Sequence, residues 1–349
     1  MLNTPKHYDT IVIGAGPAGT MAAKLLSKAG NSVLIISPQT PSVRYYNFIP
    51  PAISDELSLA SESVLAAEVG KVRIMLAGVH FGDASFPTPV SLVDRRRFDA
   101  AMLDAACAAG AEVLNATAKR VERDAKGWNV LGEDFSHTGD RLLFCSGAAK
   151  LVDGVVFKGA CDRLRVVQCT GEPGGSSMDF DIGARGSAFC WRVGDAAGGT
   201  FDNEVSAIRH KAYLTARCEI EPLVARLDVF SRAGAEYVHD RAYRLGGSAA
   251  LVDPLTGEGI RYALQSARLC AQNIVNGDPE REYGEALRDT VVSELAIARR
   301  IARRIASVPD TVLKLSAAFP KGRKLLRGLI AVMSGEDTYS EVYRRYKGE

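Results

Sequence analysis

A glycine-rich turn between a short apolar strand and a helix constrains this chain more than any other feature. Residues 9–14 (DTIVIG) form a β-branched run, and Gly14-Ala15-Gly16-Pro17-Ala18-Gly19 then opens an Ala- and Leu-rich helix over 17–29, closed by Gly30. A second buried strand, SVLII, follows at 32–36. Strand, helix and strand in so short a span define a βαβ unit with a right-handed crossover. The three glycines are not interchangeable. Gly14 permits the tight turn, Gly16 lets backbone N–H groups approach a pyrophosphate, and Gly19 lets the helix pack close to the strand. Pro17 and Ala18 begin the helix, whose free amides and positive dipole end face the phosphates.

The chain of 349 residues has room for one large domain or two modest ones. With 43 Lys and Arg against 41 Asp and Glu, its net charge of +2 lacks the basic excess of a nucleic-acid binder. The sequence MLNTPKHYDT has no apolar core of a signal peptide, and the apolar runs fall short of a bilayer span. Seven dispersed cysteines with no CxxC pair read as reduced thiols of a cytoplasmic protein. The five histidines (His7, His80, His137, His210 and His239) are isolated, there is no HExxH, and no metal site is expected.

Further along, Ser37–Pro51 reads as a loop because Pro38, Pro41, Pro50 and Pro51 break any helix. A helix is expected over 97–109, followed by a strand in AEVLNATA and another at 141–145. Residues 155–234 carry short β-like runs such as RLRVVQC and SAFCWRVG, read as an antiparallel layer over a substrate. A β-like segment at 242–246 leads to a helix over 258–276, and from about 284 the pattern is helical. Gly171–Gly175 does not sit between a strand and a helix, so only one dinucleotide fingerprint is present.

Two motifs together point to a family. The GxGPAG form at the N-terminus looks like the FAD-binding start of the two-dinucleotide-fold flavoproteins. Residues 246–260, GGSAALVDPLTGEGI, resemble the second FAD-contacting segment of the hydroxylase-like flavoproteins. There the run turns into a helix whose N-terminus faces the flavin and stabilises negative charge on the reduced ring. Val93-Asp94-Arg95-Arg96-Arg97-Phe98-Asp99 looks like the family's DRxxFD helix entry, which implies that Arg95 lies near the cofactor. Phe189-Cys190-Trp191-Arg192-Val193 resembles the aromatic, substrate-facing strand of the geranylgeranyl reductase-like branch. The segment Gly335–Val342 is similar to that branch's C-terminal ending. The resemblance runs from about residue 8 to 346.

It implies an α/β fold: a Rossmann-like FAD-binding domain with an inserted antiparallel-sheet substrate domain and a C-terminal helical extension. The expected boundaries are 1–58, 92–150 and 240–283 for the FAD-binding domain, 59–91 and 151–239 for the substrate domain, and 284–349 for the helical region. FAD is the implied cofactor, with NAD(P)H or a reduced electron carrier as a transient donor. The implied cofactor contacts are Gly14, Gly16, Pro17, Ala18, Gly19, Ser37, Arg95, Ser248, Pro254, Thr256, Gly257, Gly259 and Ile260. The activity implied is reduction of C=C bonds in a hydrophobic small molecule. A flavin-dependent monooxygenase or halogenase of the same fold is the competing enzyme class.

Three serines depart from the pattern. Ser37 stands where a ribose-binding glutamate is usual, Ser146 in place of the Asp of an Asp-Gly pair, and Ser248 in place of the Asp that holds the ribityl chain. Neutral hydrogen bonds are weaker than charge-assisted ones, so these changes remove on the order of a few kcal/mol of affinity. Two readings stay open: FAD held with fewer charged contacts, or a fold kept as a non-catalytic binding module. The loop Ser42–Pro51 lacks the cysteine that the reductase branch often carries there. Arg44, Tyr45 and Tyr46 of that loop, with Trp191, are the candidates for the flavin and substrate side.

Residues 299–327 carry nine Lys and Arg among apolar residues, with Asp310 the lone acid. Such a segment either packs on the core with a solvated basic face or lies on an anionic membrane. Oligomeric state leaves no signal.

Overall fold

A computed structural model describes residues 5–38, 45–51, 53, 64–147, 152–154, 157–159, 161–183, 187–217, 219–231, 235–277 and 280–347. Two sheets organise them. In the first, β1 (His7–Ile13) is flanked in parallel by β2 (Val33–Ser37) and by β9 (Ser136–Phe144). β6 (Glu112–Asn115) lies outside β2, and β16 (Ala242–Arg244) outside β9, also in parallel. β15 (Val238–His239) ends that side, while β7 (Arg120–Asp124) and β8 (Gly127–Leu131) extend β9 as an antiparallel hairpin.

Successive side chains of β1 leave on opposite faces, so both faces need cover. Val12 points to α1 (Pro17–Lys28), α2 (Arg95–Ala108) and α4 (Ile260–Val275), joining Leu26, Phe98 and Leu264 in one core. Ile11 and Ile13 point the other way and meet Trp128, Val130 and Phe144.

The second sheet runs β14 (Leu223–Phe230), β10 (Cys161–Thr170), β13 (Ala196–Phe201), β12 (Ser187–Val193), β11 (Ser177–Ile182), β4 (Leu65–Leu76), β5 (Val79–Asp94) and β3 (Tyr46–Ile49). It is antiparallel except where β11 pairs β4. α3 (Glu204–Thr215) packs at the β10 and β13 end. The loop reading of 37–51 fails at its end: Tyr46–Ile49 pairs with Asp94–Ser91 as an edge strand. The prolines that argue against a helix flank these four residues without entering them, and a sheet edge tolerates such a brief strand.

The C-terminal helices are α5 (Glu280–Leu287), α6 (Ser293–Ser307), α7 (Asp310–Ala318), α8 (Pro320–Ser334) and α9 (Tyr339–Lys347). They roof the second sheet: Ile301, Leu329, Ile330, Tyr339 and Val342 share a core with Phe180, Phe189 and Trp191. No helix among the described residues is long and apolar enough to cross a membrane.

Candidate active site

The turn after β1 is shaped by backbone contacts. Gly14 has φ +107°, and a Cβ there would lie 2.6 Å from the Cys145 carbonyl oxygen. A Cβ on Gly19 would lie 2.1 Å from the Gly14 carbonyl oxygen. Gly16 differs, since its Cβ would meet only Cys145 O at 3.9 Å. Here the turn faces open space. Gly16 is the N-cap of α1 with no side chain capping it, and Pro17 lacks an N–H by nature, so the first-turn amides are left for a ligand. Beside them lies the buried Ser146 hydroxyl, which has no hydrogen-bond partner. A cradle that excludes side chains, a helix N-terminus and a free hydroxyl fit a dinucleotide pyrophosphate. Cys145, though adjacent, is no nucleophile, because burial pushes its thiol far above the usual range.

Ser37 ends β2, half-buried. Ser248 lies in the turn that follows β16. Its hydroxyl is buried against the Phe144 and Leu245 carbonyl oxygens, at 2.8 Å from the latter, and accepts Leu245 N–H at 3.3 Å. The 3₁₀ turn Gly246–Ala249 rotates this side chain inward, and Arg244 Nε donates to the Ser248 carbonyl at 2.8 Å. Ser248 therefore braces the turn.

The next segment is organised by buried charge. Asp253 Oδ1 accepts the N–H groups of Leu255 (2.7 Å) and Thr256 (3.3 Å), and Oδ2 accepts the Tyr339 hydroxyl at 2.5 Å. Glu258 Oε1 accepts Arg261 N–H at 2.7 Å in the first turn of α4. Arg261 in turn meets Glu258 Oε2 at 3.3 Å and donates to the Val332 carbonyl at 2.8 Å. Burial raises the Asp253 carboxyl above the carboxylate range, opposed by the Tyr339 hydrogen bond, and burial raises Glu258 as well. Pro254 and Ile260 are buried, while Thr256, Gly257 and Gly259 are half-buried and stand at the rim.

A recess opens beside this loop. Tyr46, Phe48, Phe189, Trp191, Val332 and Met333 line it, together with Asp253 and residues 256–258. Phe48 and Trp191 meet edge to face with centroids 5.2 Å apart. The indole has room because position 198 is glycine: a Cβ there would lie 2.8 Å from Trp191 Nε1. Gln168 holds the wall, accepting Tyr46 N–H at 2.7 Å and donating to Tyr46 O at 3.0 Å.

The structure thus brings Tyr46 and Trp191 to one recess beside Thr256 and Gly257. It sends Tyr45 elsewhere, since adjacent residues alternate faces. Arg95 lies 5.0 Å over the Tyr45 ring, pairs with Asp99 at 3.0 Å and donates to Asn47 Oδ1 at 3.1 Å. In these contacts Arg95 fastens β3 to α2. Arg44 lies outside the described residues. Sequence reasoning gave no role to Gln168, Glu258, Arg261 or Tyr339. An acid preceding a proline in an apolar run was the available signal at Asp253, and it called for a buried partner.

The FAD binding domain family matches residues 7–45. The menaquinone reductase of Mycolicibacterium smegmatis is 25% identical over 346 residues, covering 84% of this chain and 83% of that protein. The digeranylgeranylglycerophospholipid reductase of Methanoculleus marisnigri is 28% identical over 306 residues, covering 76% of each. Among solved structures, a geranylgeranyl bacteriochlorophyll reductase-like protein of Thermoplasma acidophilum superposes with a TM-score of 0.76 at 20% identity, over 99% of this chain and 96% of that one. The chain is an FAD-dependent oxidoreductase and is similar, over 76% or more of its length, to reductases of the geranylgeranyl type.

Proposed function

We propose that the chain reduces carbon–carbon double bonds in a hydrophobic, isoprenoid-bearing small molecule. The observation that carries this reading is the recess, where aromatic and aliphatic walls (Phe48, Phe189, Trp191, Val332) adjoin the rim Thr256-Gly257-Glu258. Residues 14–19 hold the pyrophosphate, with Ser37 and Ser146 as the sugar-side hydroxyls. Pro254, Thr256, Gly257, Gly259 and Ile260 form the ring-side edge.

Bound FAD supplies hydride chemistry, and NAD(P)H or a reduced carrier recharges it by transient docking. The protein's share is to hold an alkene against the cofactor, keep water out and set the local field. Burial of an apolar chain against the aromatic wall is worth ~25 cal/mol per Å². The N-terminal end of α4, where Glu258 Oε1 takes Arg261 N–H, places a positive dipole end beside the rim, which favours negative charge there. The relatives' names supply the first substrates to try, menaquinone and a digeranylgeranylglycerophospholipid.

The test is anaerobic. Chemically reduced holoprotein is mixed with each lipid in turn, and the product is weighed by mass spectrometry. A gain of two hydrogens per bond is the expected result. Absence of hydrogenated product with both lipids, alongside oxygen uptake and an oxygenated product in air, would move the chain to the monooxygenase class.

A further inference from the structure

The helix pair α7–α8 presents a surface that the recess does not use. Val312, Leu315 and Phe319 are 46%, 64% and 65% exposed. Val312 and Leu315 lie three residues apart on one side of α7, and Phe319 follows at the bend where α8 begins. Patches this apolar are normally buried, yet this one faces outward. Around it stand exposed cations: Arg303 and Arg304 at the end of α6, and Lys321, Arg323 and Arg327 along α8. Among the described residues none of these five is in an ion pair, so their charge is available to a partner. Between α8 and α9 runs a groove of about 560 Å³ lined by Arg323, Lys324, Arg327 and Arg345. Asp337 in its wall is taken up by Arg345.

We propose that α7 and the first turns of α8 dock this enzyme on an anionic phospholipid surface. In this arrangement Val312, Leu315 and Phe319 enter the acyl boundary and the basic groove receives lipid phosphates. Three features select that occupant. The apolar patch is only three side chains wide, far below the roughly 800 Å² per partner of a stable protein interface. The surrounding charge is mostly of one sign, five exposed cations against Asp310, as expected opposite phosphate. Shallow insertion and a polybasic rim are each too weak to anchor a protein alone, and together they suffice. α8 runs from this surface to the recess, since Pro320 begins it and Val332 and Met333 line the pocket. Twelve residues at ~1.5 Å each separate the two by about 18 Å.

Co-sedimentation of the full-length, FAD-loaded protein tests the proposal. One set of vesicles is phosphatidylcholine alone, the other equimolar phosphatidylcholine and phosphatidylglycerol. The wild type binds the second set, and added salt weakens the binding. The double variants Leu315→Asp/Phe319→Asp and Arg323→Glu/Arg327→Glu each lower it at least tenfold. Both keep their flavin and their turnover of detergent-dissolved substrate, so this outcome is separable from that of the reduction assay. Failure of the wild type to bind anionic vesicles, equal binding to both sets, or variant binding within twofold of wild type overturns the proposal. Wild-type self-association that the apolar variant abolishes, without any vesicle binding, overturns it in favour of a second copy of the chain.

Discussion

The two segments proposed to face the cofactor are built on opposite principles. The turn at Gly14–Gly19 is shaped by main-chain atoms, and its tolerances are steric: Cys145 O lies 2.6 Å from any Cβ on Gly14. The loop Asp253–Ile260 is shaped by buried charge, with Asp253 tied to Tyr339 eighty-six residues downstream and Glu258 tied to Arg261. A steric turn fails abruptly, because an added methyl group has nowhere to go. A charge-braced loop fails by degrees, because each lost hydrogen bond leaves the others in place.

Gly19→Ala tests the abrupt side and carries the largest expected effect. Its methyl group would lie 2.1 Å from Gly14 O, so the helix must retreat from the strand. We expect loss of about 3–4 kcal/mol of stability and of bound flavin, read from the melting curve and the absorbance of purified protein. Gly82→Ala is the control, because nothing lies within 4 Å of its Cβ position. Equal behaviour of the two variants would end the steric account.

Tyr339→Phe tests the graded side. It deprives a fully buried carboxylate of one of its three donors, at a cost of about 1–3 kcal/mol. The pyrophosphate turn does not touch Tyr339, so flavin stays bound while the melting temperature drops. Loss of flavin together with stability would show that the two segments act as one unit.

Asp253→Asn sharpens the same comparison through pH. The folded-state pKa of Asp253 is raised above its unfolded value, so between the two the native state holds more protons than the unfolded chain. Stability contributed by this group is therefore lost as pH rises from about 4 through the raised value. Glu258 carries the same sign. Asparagine keeps an acceptor for Leu255 N–H and cannot ionise, so urea midpoints measured against pH become flatter on that limb. The total loss of stability that the substitution removes across that limb is about 1.4 kcal/mol for each unit of raised pKa. An unchanged profile would mean that Asp253 is not the group that titrates.

The same contrast explains what the sequence could disclose. The turn was legible because its contacts are local and demand one residue type: strand, three spaced glycines and helix sit within the first 30 residues. Apolar periodicity likewise placed the C-terminal helices. Hidden from it were the contacts that cross the chain, Asp253 with Tyr339 and Gln168 with the backbone of Tyr46. No short-range pattern encodes a partner more than eighty residues away. Tyr46–Ile49 was missed for a related reason, since four residues beside two prolines have no periodicity to read, and their pairing with β5 is what makes them a strand. At Ser248 the residue type suggests a ligand, whereas the direction of its hydroxyl is set by a 3₁₀ turn that no residue type announces.

The smallest expected effect belongs to Ser146→Asp, and its sign is informative. Ser146 Oγ is buried and unpartnered at the edge of the steric turn. Aspartate there adds charge to a site whose other determinants are backbone atoms. With FAD bound, a sugar hydroxyl can donate to the new carboxylate, and a charge-assisted bond is about twice as strong as a neutral one. Without FAD the carboxylate is buried beside helix amides alone, and desolvation makes the apoprotein less stable. The expected signature is a lower melting temperature for apoprotein, a larger upshift on adding FAD, and affinity improved by up to about tenfold, measured by flavin fluorescence titration. Weaker FAD binding would mean that position 146 faces the phosphates, where a second negative charge repels. The steric turn would then extend one residue past Cys145, and the serine at 146 would be what keeps that side of the cradle neutral.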